Sequence, residues 1–512
     1  MQNIYLPGAI VNSLTAFEVH NYSFINTVGS FAGNVAKNYT DLDFCNVTVT
    51  YSHEDQDDII HVNVWLPLSS DDWNGRFQGT GGGGFATGEG SQFLAPALGQ
   101  GYSAAETDGG HAEDAVFGRP GYWALDQDGQ VNEQLLLDFA YLSLNDMTLL
   151  GKAVTETYYG KAPHHSYWHG CSTGGRQGLE MAQRYPDAYD GILALSPAIN
   201  WVRFIMAEYW GQLIMNHLDY YPPPCEFEAI TAAAIKACDD LDGVVDGIIS
   251  LPELCKFDAE TLVGSVFACE GTELEISSQA AVVANAVWTG PRNSTTGKLE
   301  WYGLNKDASL IVGAAGFPGL VDTNCSEPTD AGTCEGAPFA VSSDWIQYFV
   351  LKDPDYPLTN LSYLDYDAAV EKSIHEYSDI INTADADLSA FREAGGKMIT
   401  THGLADSLVF PNGSINYYDR VLHHDAAAQD FYRLFLLPGV AHCFAGGPGP
   451  YPVDQLEALT KWVEKGDAPD TLTTSFSLRL EGGEGERPAC MYPAVQTYVG
   501  GDPLKASSFV CQ

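Results

Sequence analysis

Residues 169–178 read "HGCSTGGRQG", and Gly170-Cys171-Ser172-Thr173-Gly174 within them fits the G-x-S-x-G frame of a nucleophile elbow. The frame alone says little, because a glycine-rich turn needs no catalytic reason. Its surroundings say more. "HSYWHG" before it has strand character, and "GGRQGLEMAQRYP" after it has helical periodicity. A strand, a sharp turn and a helix would lift the Ser172 hydroxyl above a sheet and place the Thr173 N–H at a helix start, aimed at an oxyanion. Cys171 is a second possible nucleophile directly beside it.

The serine needs a base, and in this architecture the acid and the histidine follow it in that order, each in a loop after a later strand. "KMITTHGLADSLV" places Asp406 after a strand, and "LFLLPGVAHC" places His442 after the next, 36 residues on. His402, four residues before Asp406, reads as a residue shaping the acid loop. Asp108 and His111 precede the serine, the wrong order, and read as pocket wall or hydrogen-bonded structure. His164, His165 and His169 make no coherent zinc set. The second oxyanion donor is expected from "GTGGGGF", with Gly82 and Gly83 the candidates; a turn without chemistry is the alternative.

Cys171 precedes the serine and Cys443 follows the histidine. If Ser172 and His442 meet, their neighbours come within the roughly 4.4–6.8 Å Cα separation of a disulfide. Cys171 is then a staple, not a nucleophile.

Around these loops the chain alternates strand and helix. "CNVTVTYSH" and "IIHVNVWLP" alternate at period two, residues 135–160 have helical periodicity ended by Gly160, and "YDGILALSPA" is another strand. The rhythm implies a mainly parallel sheet flanked by helices. It breaks near residue 200 and returns near 395, so residues 1–204 and 376–512 read as one catalytic domain and 205–375 as an inserted lid. Strands are expected from about residue 44 onward.

The chain has 512 residues, 45% of them hydrophobic, and a formal charge of −43 from 67 acidic and 24 basic residues. That charge disfavours nucleic acid or an anionic membrane as partner. No apolar run is long enough to span a bilayer. Eleven cysteines and seven N-x-S/T sequons (Asn21, Asn38, Asn46, Asn293, Asn324, Asn360, Asn412) point to a secreted chain, although no signal peptide is visible at its start. The odd cysteine is expected to be Cys45, whose mate would lie upstream. "CDDLDGVVDGII", residues 238–249, clusters Asp239, Asp240, Asp242 and Asp246 among turn glycines, either as a solvated acidic turn or as a Ca²⁺ loop of non-EF-hand type.

The pattern Cys-Ser, then Asp, then His-Cys resembles the fungal tannase and feruloyl esterase family, from "LDFCNVTV" to the final "FVCQ". The resemblance implies an α/β-hydrolase fold with a lid, secretion, and hydrolysis of plant phenolic esters. It implies Ser172 as nucleophile, His442 as base then acid, and Asp406 as its orienter. It also implies structural Ca²⁺ held by Asp239, Asp242 and Asp246 carboxylates with the Val244 and Ile248 carbonyls, and no organic cofactor. Together with proximity in sequence it suggests the bridges Cys225–Cys269, Cys238–Cys255, Cys325–Cys334 and Cys490–Cys511. Within the family, "CNVTVTYSH" and "LDYYPPPCE" look like tannases, whereas the threonine of "GCSTGGRQG" looks like feruloyl esterases, since tannases often carry Asp there. The expectation is a galloyl esterase, monomeric or homodimeric. A feruloyl or chlorogenate esterase is the alternative, and a catalytically silent binding protein of the same fold the alternative of another class.

Overall fold

The computed structural model describes residues 5–27, 29–111, 118–313, 317–444, 446–478 and 483–512. Nine strands form one sheet: β1 (Ala9–Phe24), β2 (Tyr39–His53), β3 (Ile60–Pro67), β4 (Arg76–Thr80), β5 (Ser103–Thr107), β6 (His165–Cys171), β7 (Gly191–Leu195), β8 (Lys397–Gly403) and β9 (Tyr432–Leu437). Their spatial order is β1-β2-β3-β5-β4-β6-β7-β8-β9. The first three strands join antiparallel, and every pairing from β5 to β9 is parallel. This is the α/β-hydrolase fold expected from the sequence.

Strand chemistry explains the central sheet. Every residue of "GILAL" in β7 is buried, the continuous apolar run of a parallel strand covered on both faces. Its alternate side chains part to opposite sides. Leu193 and Leu195 join one core with Tyr167 and Phe435, and Ile192 and Ala194 join the other with Trp168, Met398 and Leu434. The first core runs on without interruption into Trp201, Trp345, Phe349 and Tyr366 of the segment between β7 and β8. That segment supplies no strand to the nine. It is built of helices, including Trp201–Ala207, Trp210–Leu218, Pro224–Cys238, Ser278–Thr289 and Tyr363–Ile381, with small hairpins such as Val266–Cys269 against Thr272–Glu275.

Three details depart from the sequence expectation. Strands begin at Ala9, not near 44: β1 is an edge strand with no buried residue, so no core-facing period marks it. The helical stretch before Gly160 is two helices, α1 (Glu133–Ala140) and α2 (Leu142–Tyr159), parted at Tyr141, where φ is −164°. After β9 the chain makes a separate three-stranded sheet from Tyr451–Pro452, Thr471–Ser475 and Glu486–Cys490.

Helix α3 (Thr173–Arg184) follows β6 directly and is buried at every position from Thr173 to Ala182. It ends where Pro186 disfavours helical geometry at Tyr185. Glycines let it lie this deep. A Cβ on Gly175 would overlap the Leu195 carbonyl oxygen and sit 2.9 Å from Pro197 Cα; one on Gly178 would sit 2.6 Å from the Trp168 ring. Gly175→Ala is therefore expected to destabilise the protein by about 1–3 kcal/mol, the usual range for overpacking. A denaturant midpoint equal to wild type would show that the helix has slack.

Candidate active site

The sharp turn between β6 and α3 is made by Ser172 itself, with φ 61° and ψ −120°. A side-chain-bearing residue pays roughly 1–3 kcal/mol for such a conformation, so its surroundings must enforce it. Its N–H donates to the Leu195 carbonyl at 3.0 Å, and its carbonyl accepts from Ala198 N at 3.0 Å and Arg176 N at 2.9 Å. The flanking glycines are sterically required: a Cβ on Gly170 would lie 2.5 Å from the Gly174 carbonyl carbon, and one on Gly174 3.0 Å from the Gly82 oxygen.

The glycine loop after β4 is clamped onto this turn. Gly174 N donates to Gly82 O at 2.8 Å, and Thr173 Oγ1 donates to Gly84 O at 2.7 Å. Gln177 receives the Gly82 N–H at 3.0 Å and donates to Thr87 O at 3.1 Å. The Gly82 amide is thus committed to Gln177, which corrects the reading of Gly82 as an oxyanion donor. Gly83, with Thr173, lines the cavity that opens over Ser172. Gln177 sits one helical turn past the serine, and "GGRQG" hinted at its burial without revealing its partner.

Asp406 is fully buried in the loop after β8. Its Oδ1 accepts from Leu408 N at 2.9 Å and Val409 N at 2.8 Å, and its Oδ2 lies 2.7 Å from His442 Nδ1. His402, buried beneath it, brings Nε2 to 3.2 Å from the same Oδ2 and holds Ser414 and the Val409 carbonyl with its ring nitrogens. Burial alone would raise the Asp406 pKa. The His442 charge and the hydrogen bonds from both imidazoles overcome it and hold the group well below the usual carboxylate range. With Nδ1 bound to Asp406, His442 lines the same cavity as Ser172.

Cys171 and Cys443 are disulfide-bonded with Cα atoms 6.0 Å apart. Cys225–Cys269, Cys238–Cys255, Cys325–Cys334 and Cys490–Cys511 are bonded too, as expected. Cys45 is the unpaired thiol, buried in β2 in the core.

The cavity walls are mostly apolar, with the rings of Phe31, Trp201, Phe204 and Phe339 among them, and include two acids, Glu89 and Glu208. Burial, with the Asp406 charge adding, pushes the Glu208 pKa well up, and its Oε2 is buried without a partner among the described residues. Burial and Glu106 push Glu89 up to about 7. Neither acid was legible in the sequence, since they stand far from the elbow along the chain. A roomier cleft between residues 250–256 and 488–496 contains neither Ser172 nor His442.

The other candidates take structural places. Asp108 accepts from His61 N at 2.9 Å and pairs its ring at 2.7 Å. His111 stacks on Trp123 and bonds Thr87, and burial lowers its pKa to about 4. His169 is buried against the Ala32 carbonyl, and His164 and His165 face each other at 3.0 Å. Of the sequons, Asn21, Asn46 and Asn324 lie in strands, Asn360 in a 3₁₀ turn and Asn412 in the first turn of a helix; Asn21, Asn38, Asn324 and Asn360 are exposed.

The acidic loop at 238–249 is folded on its own backbone. Asp239 accepts from the amides of Asp246, Gly247 and Ile248, Asp242 from Val244, and Asp246 from Ile248. Arg487 donates to Asp246 Oδ2 at 2.6 Å. Among the described residues, Asp239, Asp242 and Asp246 do not bring one oxygen each within 4.8 Å of one another. Arg487 gives the Asp246 carboxylate a counter-charge.

Comparison with known proteins agrees with this geometry. The family model "Tannase and feruloyl esterase" matches residues 45–512. A "Probable feruloyl esterase" of Arthroderma benhamiae is 42% identical over 498 residues, covering 94% of this chain and 88% of the relative. The "Tannase" of Aspergillus oryzae is 29% identical, covering 92% of this chain and 85% of that one. Among solved structures, a tannin acyl hydrolase from Aspergillus niger superposes with a TM-score of 0.86 at 27% identity, covering 99% of this chain and 92% of that one. Feruloyl esterase B from Aspergillus oryzae superposes at 0.78 and 26%, covering 99% and 98%. The chain belongs to the tannase and feruloyl esterase family, a family of carboxylic ester hydrolases.

Two outcomes follow from the geometry. Replacing Cys171 and Cys443 together by alanine releases the serine turn from the histidine loop, and displacement by about 1 Å costs on the order of 10²-fold in rate. The folded double variant should lose kcat by that order; unchanged kcat would make the bond purely a matter of global stability. Arg487→Met leaves Asp246 unpaired and should lower stability by about 3 kcal/mol, less than a fully buried pair commands because Asp246 is partly exposed. An unaltered unfolding midpoint would mean that solvent already neutralises the loop.

Proposed function

We propose that this member of the tannase and feruloyl esterase family is a secreted serine esterase of phenolic acid esters, acting first on galloyl esters. The observation that carries the mechanism is the His442–Asp406 pair opening onto the same cavity as Ser172, with the flanking cysteines bonded. Ser172 Oγ attacks the ester carbonyl as His442 Nε2 takes its proton. Asp406, held ionised, keeps the ring in the Nδ1–H tautomer and balances the imidazolium. The N–H groups of Thr173 and Gly83 face the developing oxyanion. His442 then protonates the departing alcohol, leaving an acyl-Ser172. Water, deprotonated by His442, attacks that ester and frees the acid and the serine.

The aromatic walls suit a flat acyl ring. Glu208, kept neutral by burial, supplies a carboxylic acid O–H and a carbonyl for ring hydroxyls, and Glu89 supplies a second polar contact. Two such groups favour a ring carrying several hydroxyls, the galloyl case. The 42% identity to a feruloyl esterase favours a second reading, hydrolysis of feruloyl or chlorogenate esters. Five disulfides support work outside the cell, where such bonds persist. The exposed sequons are then open to glycosylation.

Rates on methyl gallate and methyl ferulate decide between the two substrates. The expected result is a higher kcat/KM for methyl gallate, abolished in Ser172→Ala at unchanged melting temperature. A preference for methyl ferulate would install the second reading, and turnover by the alanine variant would overturn the nucleophile assignment.

A further inference from the structure

Away from the active-site cavity, three carboxylates are buried around one imidazole. His53, the last residue of β2, places Nδ1 2.6 Å from Asp58 Oδ2 and 3.6 Å from Asp138 Oδ1. Its Nε2 lies 2.9 Å from Asp146 Oδ2. Asp58, Asp138 and Asp146 are all buried, and among the described residues no lysine or arginine pairs with any of them. Three buried carboxyls share one imidazole, and burial pushes the Asp138 carboxyl up to about 8.

The hydrogen-bond inventory points to what is missing. Asp138 is fully buried in α1; its Oδ1 accepts from Gln134 Nε2 at 3.1 Å, while its Oδ2 has no partner among the described residues. One donor atom each from His53, Asp58 and Asp138 lies within 4.8 Å of the others. On the far side of the ring, Nε2 faces Asp146, whose Oδ2 also accepts from the Tyr51 hydroxyl at 3.1 Å. A carboxylate behind a histidine, itself anchored by a further hydrogen bond, is the arrangement that orients a metal-ligating imidazole.

We propose that His53 Nδ1, Asp58 and Asp138 bind a divalent transition-metal ion of the zinc class, with Asp146 and Tyr51 as positioning residues behind the imidazole. One nitrogen and two carboxylates match zinc chemistry and are too few and too nitrogenous for calcium, which takes 6–8 oxygens. Bonds of about 2.1 Å in a tetrahedral shell put ligand atoms about 3.4 Å apart. The Nδ1–Asp138 separation is already close to that, and the Nδ1–Asp58 hydrogen bond opens by under about 1 Å when metal replaces its proton. The ion would tie the β2–β3 turn to α1 and α2. The C-terminal end of α1 is in turn held by Arg176 of α3, which donates to the carbonyls of Phe139 and Ala140. Its role is structural.

The test uses the full chain, stripped with a chelator, dialysed, and offered Zn²⁺ or Co²⁺ alone. The expected result is one retained equivalent by elemental analysis, a melting temperature several degrees higher with Zn²⁺, and visible Co²⁺ absorption of a low-symmetry site. Asp138→Asn and His53→Gln should lose all three, while Asp239→Asn keeps them. If both site variants fail to fold, the wild-type melt and stoichiometry alone still decide. No retained metal with an unshifted melt overturns the proposal, as does equal zinc binding by Asp138→Asn, which would place the ion elsewhere.

Discussion

Everything at the active site depends on a serine held in a left-handed backbone conformation at the end of a buried strand. Ser172 at φ 61° does not sit there by preference. It is kept there by backbone hydrogen bonds to Leu195 at the end of β7, to Ala198 beyond it and to Arg176 of α3, and by two glycines whose missing side chains let the turn close. Cys443, on the other side of the site, also has a positive φ, of 57°. The bond between Cys171 and Cys443 joins these two strained turns. With a sequence separation of 272 between its ends it removes on the order of 5 kcal/mol of chain entropy from the unfolded state. Its local effect is to keep the serine and histidine loops in register.

The site also separates its acids by environment. Asp406 and Glu208 are both deeply buried, and burial disfavours the charged form of each. The imidazoles of His442 and His402 reverse that outcome for Asp406, which stays an anion. Glu208 has no such partners, and Asp406 repels its charge, so it stays neutral. One carboxyl can therefore orient a base while the other faces a polar but uncharged ligand, two roles set by surroundings and not by residue type. In a chain with a net charge of −43 this discrimination is essential, because an undirected excess of carboxylates would repel.

The inserted segment is not energetically separate from the sheet. Trp201, Trp345 and Phe349 extend the core that begins on one face of β6–β9, so the cavity roof and floor belong to one apolar body. Arg176 crosses this region fully buried between the Phe139 and Trp201 rings; its two terminal nitrogens donate to carbonyls at the end of α1, while its Nε has no partner among the described residues. Arg176 thus joins Trp201 and the end of α1 to the helix that follows Ser172.

Much of this was legible along the chain because it is written locally. The elbow needs small residues at fixed offsets from Ser172, the acid and base need loops after strands in a set order, and a cysteine beside each reports the distance between them. Local patterns carry such information because backbone geometry is a near-neighbour property. What stayed hidden was decided by contacts between distant segments. Nothing near Gly82 announces that Gln177 will consume its amide, nothing near Asp246 names Arg487, and nothing near His53 brings Asp58, Asp138 and Asp146 to one imidazole. The edge strand β1 was invisible for the opposite reason: with no buried residue, it leaves no core-facing period to read. Sequence alone determined the order and spacing of Ser172, Asp406 and His442; only the tertiary structure decided which polar groups are already satisfied and which still face a ligand, because satisfaction depends on partners that folding, not sequence neighbourhood, brings within hydrogen-bond reach.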